Sequence, residues 1–360
     1  MKDTENKIYV VIPCYNCKSY LRTALDSVLR QCNGSFEIIL IDDGSTDGTS
    51  QLCDKVAGET NNIIVIHKEN GGVASARNKG LEYIYTKKSF NDSYIAFLDA
   101  DDAWVKDAIN GDVIELLNQN YDCICLQSLY CNGDLTRFAN PTYLKEGESA
   151  GGENSVWKNR GQHFGAVLFS AAFLFSNNIR FLPMKYSEDK IFLMQSFCLA
   201  KTICFKNIRF YLYRNNKYSA IHSRNYGIKY FDPIVRGYIQ MDHLCNQTLK
   251  SNKPVVVGHE CARTYLIDMI KEHYQYGGTQ KELDAYFEKN PDLWQLLNDK
   301  SVGGFPMNNK YKQLNTIKKS IPYYRKAALK IYLKIKKPLL FIYSSLFNDN
   351  QYPNKLYEDR

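Results

Sequence analysis

The stretch FEIILIDDGSTDGTSQLCDKVAGE, residues 36–59, contains in order a strand pattern, a turn pattern and a helix pattern. Its apolar run ends at two aspartates, Asp42 and Asp43, and the glycines, serines and threonines that follow are typical of a tight turn. A continuous run of Ile and Leu, rather than an alternating one, is typical of a strand that is covered on both faces. The stretch therefore predicts one strand–turn–helix unit of an α/β sheet.

The same unit recurs on both sides of this stretch, through the first third of the chain. The strand-like runs are 8–15, 36–43, 62–68, 93–102 and 121–131, and the helical patterns are 19–31, 49–59, 72–87 and 105–120. Buried strands joined by helices predict a mainly parallel, Rossmann-like sheet with flanking helices. Ligands of such sheets bind outside the carboxyl ends of the strands, so the polar residues that follow each run are expected at one edge.

The rest of the chain has a different pattern. Residues 132–162 are loop-like, and two further helices and two short strands are predicted after them, at 164–175, 186–200, 203–205 and 210–213. From about residue 226 the pattern is helical, with Pro or Gly breaks near 254, 278 and 291. We therefore predict a first domain at 1–225 and a helical C-terminal region at 226–360.

The basic charge of the chain is concentrated at its C-terminal end. The chain carries a net charge of +8, whereas residues 301–360 alone carry 12 Lys and Arg against three acids. Residues 310–347 interleave lysines with Tyr, Ile, Leu and Phe, which predicts a basic amphipathic helix at an anionic membrane surface. A solvated helix packed on the body is the alternative; nucleic acid is not an expected partner, because no RNA-binding motif accompanies the charge.

The cysteines and the N-terminus predict the compartment. Eleven Cys residues and a polar opening segment without a secretory leader suggest a reducing, cytoplasmic environment. No apolar run reaches the roughly 18–20 residues that a membrane-spanning helix needs. The chain is therefore expected in the cytoplasm, where its basic segment would bind it peripherally to an anionic membrane surface.

The run at 93–102 ends in three aspartates, Asp99, Asp101 and Asp102, which suggest a metal site. In a strand, Asp99 and Asp101 would point to the same side, and two carboxylates at a strand end suit Mg²⁺ or Mn²⁺. The alternative is a helix start, in which Asp102 caps the helix predicted at 105–120. From these residues alone both interpretations stay open.

Two other segments carry candidate residues. In ENGGVASARNKG, residues 69–80, the glycines allow close approach of a ligand, and Arg77 is a multi-donor suited to phosphate or carboxylate. An ordinary surface arginine near a helix start is the alternative. In YSEDKIFL, residues 186–193, Ser187 is predicted to cap a helix whose first turn carries Glu188 and Asp189.

Six segments in order resemble one family, the family 2 glycosyltransferases that build bacterial capsular or surface polysaccharides. They are VVIPCYN (10–16), EIILIDDGSTDGT (37–49), NGGVASARNKG (70–80), FLDADD (97–102), SED (187–189) and YLYR (211–214). The resemblance covers about residues 7–225 and implies the GT-A fold. It implies no role for the C-terminal third.

The resemblance implies a site for a nucleotide-sugar donor, with UDP as the expected nucleotide. The implied donor-binding residues are Pro13, Tyr15, Asp42, Asp43, Arg77, Asp99 and Arg214. Pro13 and Tyr15 would lie beside the base, and Asp43 would read the uracil edge. Asp99 and Asp101 match the DxD motif that holds Mn²⁺ or Mg²⁺ against the diphosphate.

Asp189 matches the catalytic base of inverting members of the family. The implied reaction transfers a sugar to a hydroxyl of a saccharide acceptor, in surface polysaccharide synthesis, where acceptors are commonly linked to polyprenyl lipids. Two other functions are weighed against it: a catalytically inactive assembly scaffold, and a sugar nucleotidyltransferase, which usually carries a Gly-rich loop directly after its first strand.

Overall fold

The computed structural model describes residues 7–87, 90–139, 141–159, 161–215, 227–251, 254–275 and 278–298. The basic amphipathic helix predicted at 310–347 lies outside the described residues. None of the helices in the described ranges is both long and apolar enough to cross a membrane.

A mixed sheet forms the centre of the first unit. In the described part of the chain its strands are β1 (Lys7–Cys14), β2 (Ser35–Asp42), β3 (Ile63–His67), β4 (Ser93–Phe97), β5 (Ala103–Trp104), β6 (Cys123–Cys131), β7 (Gly147–Ser149), β8 (Val167–Ser170) and β9 (Ile203–Arg214). Their order is β3-β2-β1-β4-β8-β6-β9-β5, with β7 paired to β9. The first four strands are parallel, as their apolar runs predicted. The GT-A-like α/β fold expected from the sequence is confirmed.

The second half of the sheet departs from the prediction in two places. The helix predicted at 164–175 is wrong in its first half: Phe164–Ala166 forms a 3-10 turn, and Val167–Ser170 is β8, antiparallel to β4 and β6. The buried run Val-Leu-Phe suits a central strand as well as a helix, and its strand partners decide between them. The two short strands predicted at 203–205 and 210–213 are one continuous strand, β9.

Eleven helices are present in the described residues. They are α1 (Lys18–Leu29), α2 (Thr49–Ala57), α3 (Val73–Tyr85), α4 (Gly111–Leu117), α5 (Glu153–Lys158), α6 (Ala171–Ser176), α7 (Glu188–Leu199), α8 (Ile228–Leu249), α9 (Val257–Gln275), α10 (Gln280–Lys289) and α11 (Pro291–Asn298). The segment at 132–162 contains β7 and α5 and is not entirely loop.

The helix predicted at 105–120 is shorter than expected and begins at Gly111. Its cap is Asn110, whose Oδ1 accepts a hydrogen bond of 3.1 Å from the Val113 N–H. The alternative in which Asp102 caps this helix is therefore wrong. Asp102 instead accepts hydrogen bonds from two residues of β9.

Helix α3 lies close against β1 because one residue has no side chain. A Cβ atom at Gly80 would lie 2.5 Å from a methyl carbon of Val11 on β1. Real Cβ atoms do not approach so closely, so a glycine is required here. This contact fixes the helix that carries Arg77 to the edge of the sheet.

The chain divides into two compact units, and one of the boundaries between them falls within α8. One unit comprises residues up to 223 together with 240–257, and the other comprises 224–239 and the residues from 258 onward. The first contains the whole sheet. The described part of the second is helical, as predicted.

Candidate active site

The ends of β1, β2 and β3 meet at one edge of the sheet. Cys14 pairs with Asp42, and Asp42 pairs with His67 on β3. The Asp43 N–H donates to the carbonyl of Cys14 at 2.8 Å, so the chain stays aligned beyond the strands. The predicted convergence of polar residues is therefore present in the structure.

Asp42 is buried and fully engaged within the protein. Its Oδ1 accepts from the Ser45 N–H at 3.1 Å, and its Oδ2 lies 2.7 Å from the Ser50 hydroxyl and 2.8 Å from Nδ1 of His67. Burial would raise the pKa of Asp42, but these bonds lower it below its usual value. The bonds to Asp42 and Asp54 raise the pKa of His67. Asp42 thus stabilises the turn after β2.

Asp43 holds the glycine loop that leads into α3. Its Oδ1 accepts from the Gly71 N–H at 2.9 Å and from Lys68 Nζ at 2.5 Å, and its Oδ2 accepts from the Gly72 N–H at 2.8 Å. Gly72 has a φ of +84°, a conformation that other residues rarely adopt. Asp43 and Gly72 together therefore shape the start of α3.

Pro13 and Tyr15 flank the end of β1. Pro13 is half-buried and pairs with Ile41, whereas Tyr15 lies just beyond the strand with 54% of its surface exposed. Asn16 fixes the loop next to it, because its Oδ1 accepts from the Thr46 N–H at 2.8 Å. An exposed aromatic ring is thus placed beside the turn that Asp42 and Asp43 organise.

Arg77 is buried and joins two distant segments. Its Nη2 donates to Asp99 at 2.6 Å and its Nη1 to Glu188 at 2.9 Å. The guanidinium also lies 5.1 Å from the ring centre of Phe164 and 5.3 Å from that of Phe181. The alternative of an ordinary surface arginine is therefore wrong.

The charge of Arg77 depends on the carboxylates around it. Burial disfavours a cation, but the charges of Asp99, Glu188 and Asp189 more than offset this and raise the pKa of Arg77. The guanidinium is therefore a fixed cation beside both acidic segments. Its Nε has no hydrogen-bond partner in the described part of the chain.

Glu188, which the sequence suggested only as part of a first helical turn, is the buried partner of Arg77. Burial raises the pKa of Glu188 to about 7, with Asp189 adding to the shift and Arg77 opposing it. The predicted cap is wrong: Ser187 has a left-handed φ of +63° and makes no side-chain cap. Asp189 is half-buried, and its Oδ1 accepts from the Lys190 N–H at 2.7 Å.

Residues 99–102 form a turn rather than a strand, since β4 ends at Phe97 and the Asp102 N–H donates to the Asp99 carbonyl at 2.9 Å. The prediction that strand alternation aligns Asp99 with Asp101 is therefore wrong. The Asp99 side chain is 35% exposed and Asp101 is half-buried. These two residues remain at the surface of the turn.

Asp102, by contrast, is buried and structural. Its carboxylate accepts from the Tyr211 hydroxyl at 2.6 Å and from the Arg214 N–H at 2.8 Å. Burial raises the pKa of Asp102 well above its usual value, and the charges of Asp99 and Asp101 raise it further. Asp102 fixes the turn to β9.

The side chain of Arg214 supports the same turn. It donates to the carbonyls of Asp101 and Gly133, and its guanidinium lies 5.3 Å from the ring centre of Tyr20. Its predicted contact with the donor diphosphate stays a prediction.

The predicted residues thus fall into groups joined by direct contacts. Arg77 binds Asp99, Arg214 binds the backbone of Asp101, and Asp42 and Asp43 organise the loops at the ends of β2 and β3. Sequence reasoning did not identify Glu188 or Tyr211 as partners. Both contacts join segments more than 100 residues apart, and no local pattern signals them.

Comparison with known proteins shows which family the first part of the chain is similar to. Residues 9–174 match the family described as Glycosyl transferase family 2. Over these residues the chain is therefore similar to that family. It is 29% identical over 231 residues to the glycosyltransferase GlyG of Streptococcus pneumoniae, a match covering 60% of this chain and 73% of GlyG.

Two further comparisons bear on the extent of the likeness. Glycosyltransferase GlyA of Streptococcus pneumoniae is 36% identical over 102 residues, which cover 28% of this chain and 14% of GlyA. The structure of S. aureus TarS residues 1–349 in complex with UDP-GlcNAc superposes with a TM-score of 0.63 at 19% identity, covering 89% of this chain and 93% of that one. The TarS likeness shows that the two proteins share a fold.

Proposed function

We propose that this glycosyltransferase domain transfers a sugar from a nucleoside-diphosphate sugar, with UDP as the expected nucleotide, to a hydroxyl of a saccharide acceptor, with inversion at the anomeric carbon. The observation that carries the proposal is the buried Arg77, which holds together the acidic turn at Asp99 and the acidic start of α7 at Glu188. Metal-binding carboxylates and a base carboxylate are the two groups that such a transfer needs.

The edge beside β1 and β2 suits the nucleotide. Tyr15 offers an exposed ring for stacking on a base, and the loop held by Asp43 brings backbone close to it. The oxygens of Asp43 retain lone pairs beyond the three bonds seen here, so it can still accept from a base N–H. TarS, which has the same fold, binds UDP-GlcNAc and so supports a UDP-sugar donor.

Asp99 and Asp101 would hold a Mg²⁺ or Mn²⁺ ion. They fit such an ion, because both are accessible carboxylates on one turn and Mg²⁺ is usually held by one or two carboxylates together with substrate phosphates. In the described residues no group of three or more His, Cys, Asp or Glu could hold a metal ion without further ligands. When bound, the ion would stabilise the negative charge of the leaving nucleoside diphosphate.

Asp189 would act as the base. Glu188 is buried and bonded to Arg77, whereas Asp189 is half-buried and accepts a hydrogen bond of 2.7 Å from the neighbouring Lys190 N–H. Asp189 would take the proton of the acceptor hydroxyl as that oxygen bonds to the anomeric carbon. The bond to the diphosphate oxygen breaks on the opposite face, so the configuration inverts.

The experiment that tests the proposal is thermal unfolding with UDP, GDP or dTDP, each with and without Mn²⁺. A nucleotide at about 100 times its Kd stabilises the protein by roughly 2.7 kcal/mol, a shift of about 2–4 °C or more. We expect a metal-dependent shift with one nucleotide, lost in Asp101→Asn and kept in Asp92→Asn, a matched change at an exposed aspartate. No shift with any nucleotide would contradict the proposal.

Two other functions make different predictions. A sugar nucleotidyltransferase would release diphosphate from a nucleoside triphosphate and a sugar 1-phosphate, and an inactive scaffold would neither transfer nor hydrolyse. In the structure Cys14 leads through Tyr15–Cys17 directly into α1, without the Gly-rich loop that a nucleotidyltransferase usually carries there. This connection favours the glycosyltransferase.

We also propose that the acceptor is lipid-linked and that the protein works at the inner face of the plasma membrane in surface polysaccharide synthesis. The charge of residues 310–347 supports this part of the proposal. Flotation of the full chain with anionic vesicles tests it, with Lys334, Lys336 and Lys337 changed together to Glu for comparison. Equal flotation of both proteins would contradict it.

A further inference from the structure

His163 lies at the candidate site and has no role in the function proposed above. It precedes the 3-10 turn Phe164–Ala166, and its ring packs against two tyrosines of β9. The ring centres are 4.8 Å from Tyr211 and 5.1 Å from Tyr213. The orientation of the imidazole is therefore set by contacts with two aromatic rings.

The hydrogen bonding of His163 fixes its tautomer. Nδ1 accepts a hydrogen bond of 3.2 Å from the Gly165 N–H, so in the neutral ring the proton is on Nε2. Burial lowers the pKa of His163, and the charges of Lys190 and Arg77 act in the same direction, against those of Asp99 and Asp189. The ring is therefore a neutral donor through Nε2.

The imidazole ring has neighbours that contact both the acidic turn at Asp99 and Arg77, which bonds to the start of α7. Its neighbour Tyr211 bonds to Asp102 and accepts from the Asp99 N–H at 3.3 Å, and the adjacent residue Phe164 lies under the guanidinium of Arg77. The described part of the chain supplies no acceptor for Nε2, and the residue is half-buried rather than sealed. This N–H is therefore available to a bound molecule.

We infer that His163 Nε2–H donates a hydrogen bond to a hydroxyl oxygen of the sugar being transferred, which makes His163 a residue that selects the sugar. The inference rests on the function proposed above. A neutral donor suits a hydroxyl, whereas a phosphate would favour a charged imidazole. A base role does not fit, because Nε2 already carries the proton and Nδ1 is engaged with Gly165.

The test separates the sugar from the nucleotide. Calorimetry with Mn²⁺ gives the Kd of UDP and GDP, and of UDP-glucose, UDP-galactose, UDP-N-acetylglucosamine and GDP-mannose. The affinity that the sugar adds is the Kd of the free nucleoside diphosphate divided by the Kd of the corresponding nucleotide sugar. His163→Phe keeps a ring against Tyr211 and Tyr213 but has no N–H, so we expect this ratio to fall about tenfold with the nucleotide Kd unchanged.

Two further variants control for the local structure. His163→Asn places an oxygen where it can still accept from the Gly165 N–H but removes the donor, and it should behave as His163→Phe does. His163→Gln places an amide N–H near the position of Nε2 and should recover part of the lost ratio. If His163→Phe fails to fold, the comparison of Asn with Gln carries the test.

Three outcomes would overturn the inference. They are an unchanged ratio in the Phe and Asn variants, an equal loss in the Asn and Gln variants, and a wild-type protein that binds the nucleotide but gains nothing from any of the four sugars. Failure of the wild type to bind any nucleotide would instead count against the proposed function, so the two failures are distinguishable.

Discussion

Two acidic segments follow parallel strands at the same edge of the sheet, yet they use their carboxylates in opposite ways. After β2, Asp42 and Asp43 are both buried, and both accept several hydrogen bonds from the protein. After β4, only Asp102 is buried and engaged in this way, whereas Asp99 and Asp101 remain partly exposed. The first segment shapes loops, whereas the second keeps two partly exposed carboxylates that would hold the metal ion in the proposed function.

The comparison teaches that an acidic motif at a strand end does not by itself reveal its role. What decides the role is the supply of N–H and O–H donors nearby, because a saturated, buried carboxylate is part of the fold. Replacing an aspartate by asparagine should therefore affect stability in the first segment and metal-dependent nucleotide binding in the second. At the start of α7 the same change should affect turnover.

The largest effect is expected at the third acidic segment, at the start of α7. Asp189→Asn should lower turnover by about 10²–10⁴-fold, because a positioned base contributes this much, while the Kd of the nucleotide stays unchanged. Transfer kinetics and calorimetry together check this. Loss of nucleotide binding in the variant would mean that Asp189 belongs with the acidic turn and not with catalysis.

Asp43→Asn and Asp101→Asn test the comparison directly. Asp43 accepts from two backbone N–H groups and from Lys68, so its substitution should lower the free energy of unfolding by roughly 1–3 kcal/mol without ligand. Asp101→Asn should cost less stability, because Asp101 is partly exposed, and should abolish the Mn²⁺ dependence of nucleotide binding. Denaturant unfolding measures the first effect; the reverse pattern would break the distinction between the two segments.

A pH dependence of stability is expected from Glu188, which shares Arg77 with the acidic turn. Its pKa is about 7 in the folded protein and near 4.5 when exposed, so the folded state binds more protons between these values. Stability should therefore fall as the pH rises from about 4.5 to 7, by roughly 1–3 kcal/mol. Glu188→Gln should lose this part of the slope, and Glu82→Gln, at an exposed glutamate, should keep it.

The smallest effect concerns the loop that Asp43 holds. Gly72→Ala meets no atom within 4 Å, so its cost comes from the φ of +84° alone and should be about 1–2 kcal/mol. Gly111→Ala, which also meets nothing but has an ordinary φ, is the matched control. Thermal unfolding of both variants measures the difference, and equal stabilities would show that the loop adapts without strain.

The first half of the fold could be predicted because its strands are continuous Ile- and Val-rich runs, each ending in a polar turn. Residues 164–175 could not, since a short run of Phe, Ala, Val and Leu suits a helix or a central strand equally well. At the site, the acids and Arg77 are visible in the sequence. Which acid is structural and which stays exposed depends on Tyr211 and Glu188. These two residues reach Asp102 and Arg77 only when the chain has folded.

The bond between Arg77 and Glu188 also has a consequence for how the chain is made. The family match ends at residue 174, so a nascent chain of that length carries Arg77 but not yet its partner on α7. Asp99 alone then pairs with Arg77, and removing one partner from a buried charged group costs up to roughly 3–5 kcal/mol. The edge of the sheet that carries Arg77 should therefore close last, when α7 has left the ribosome.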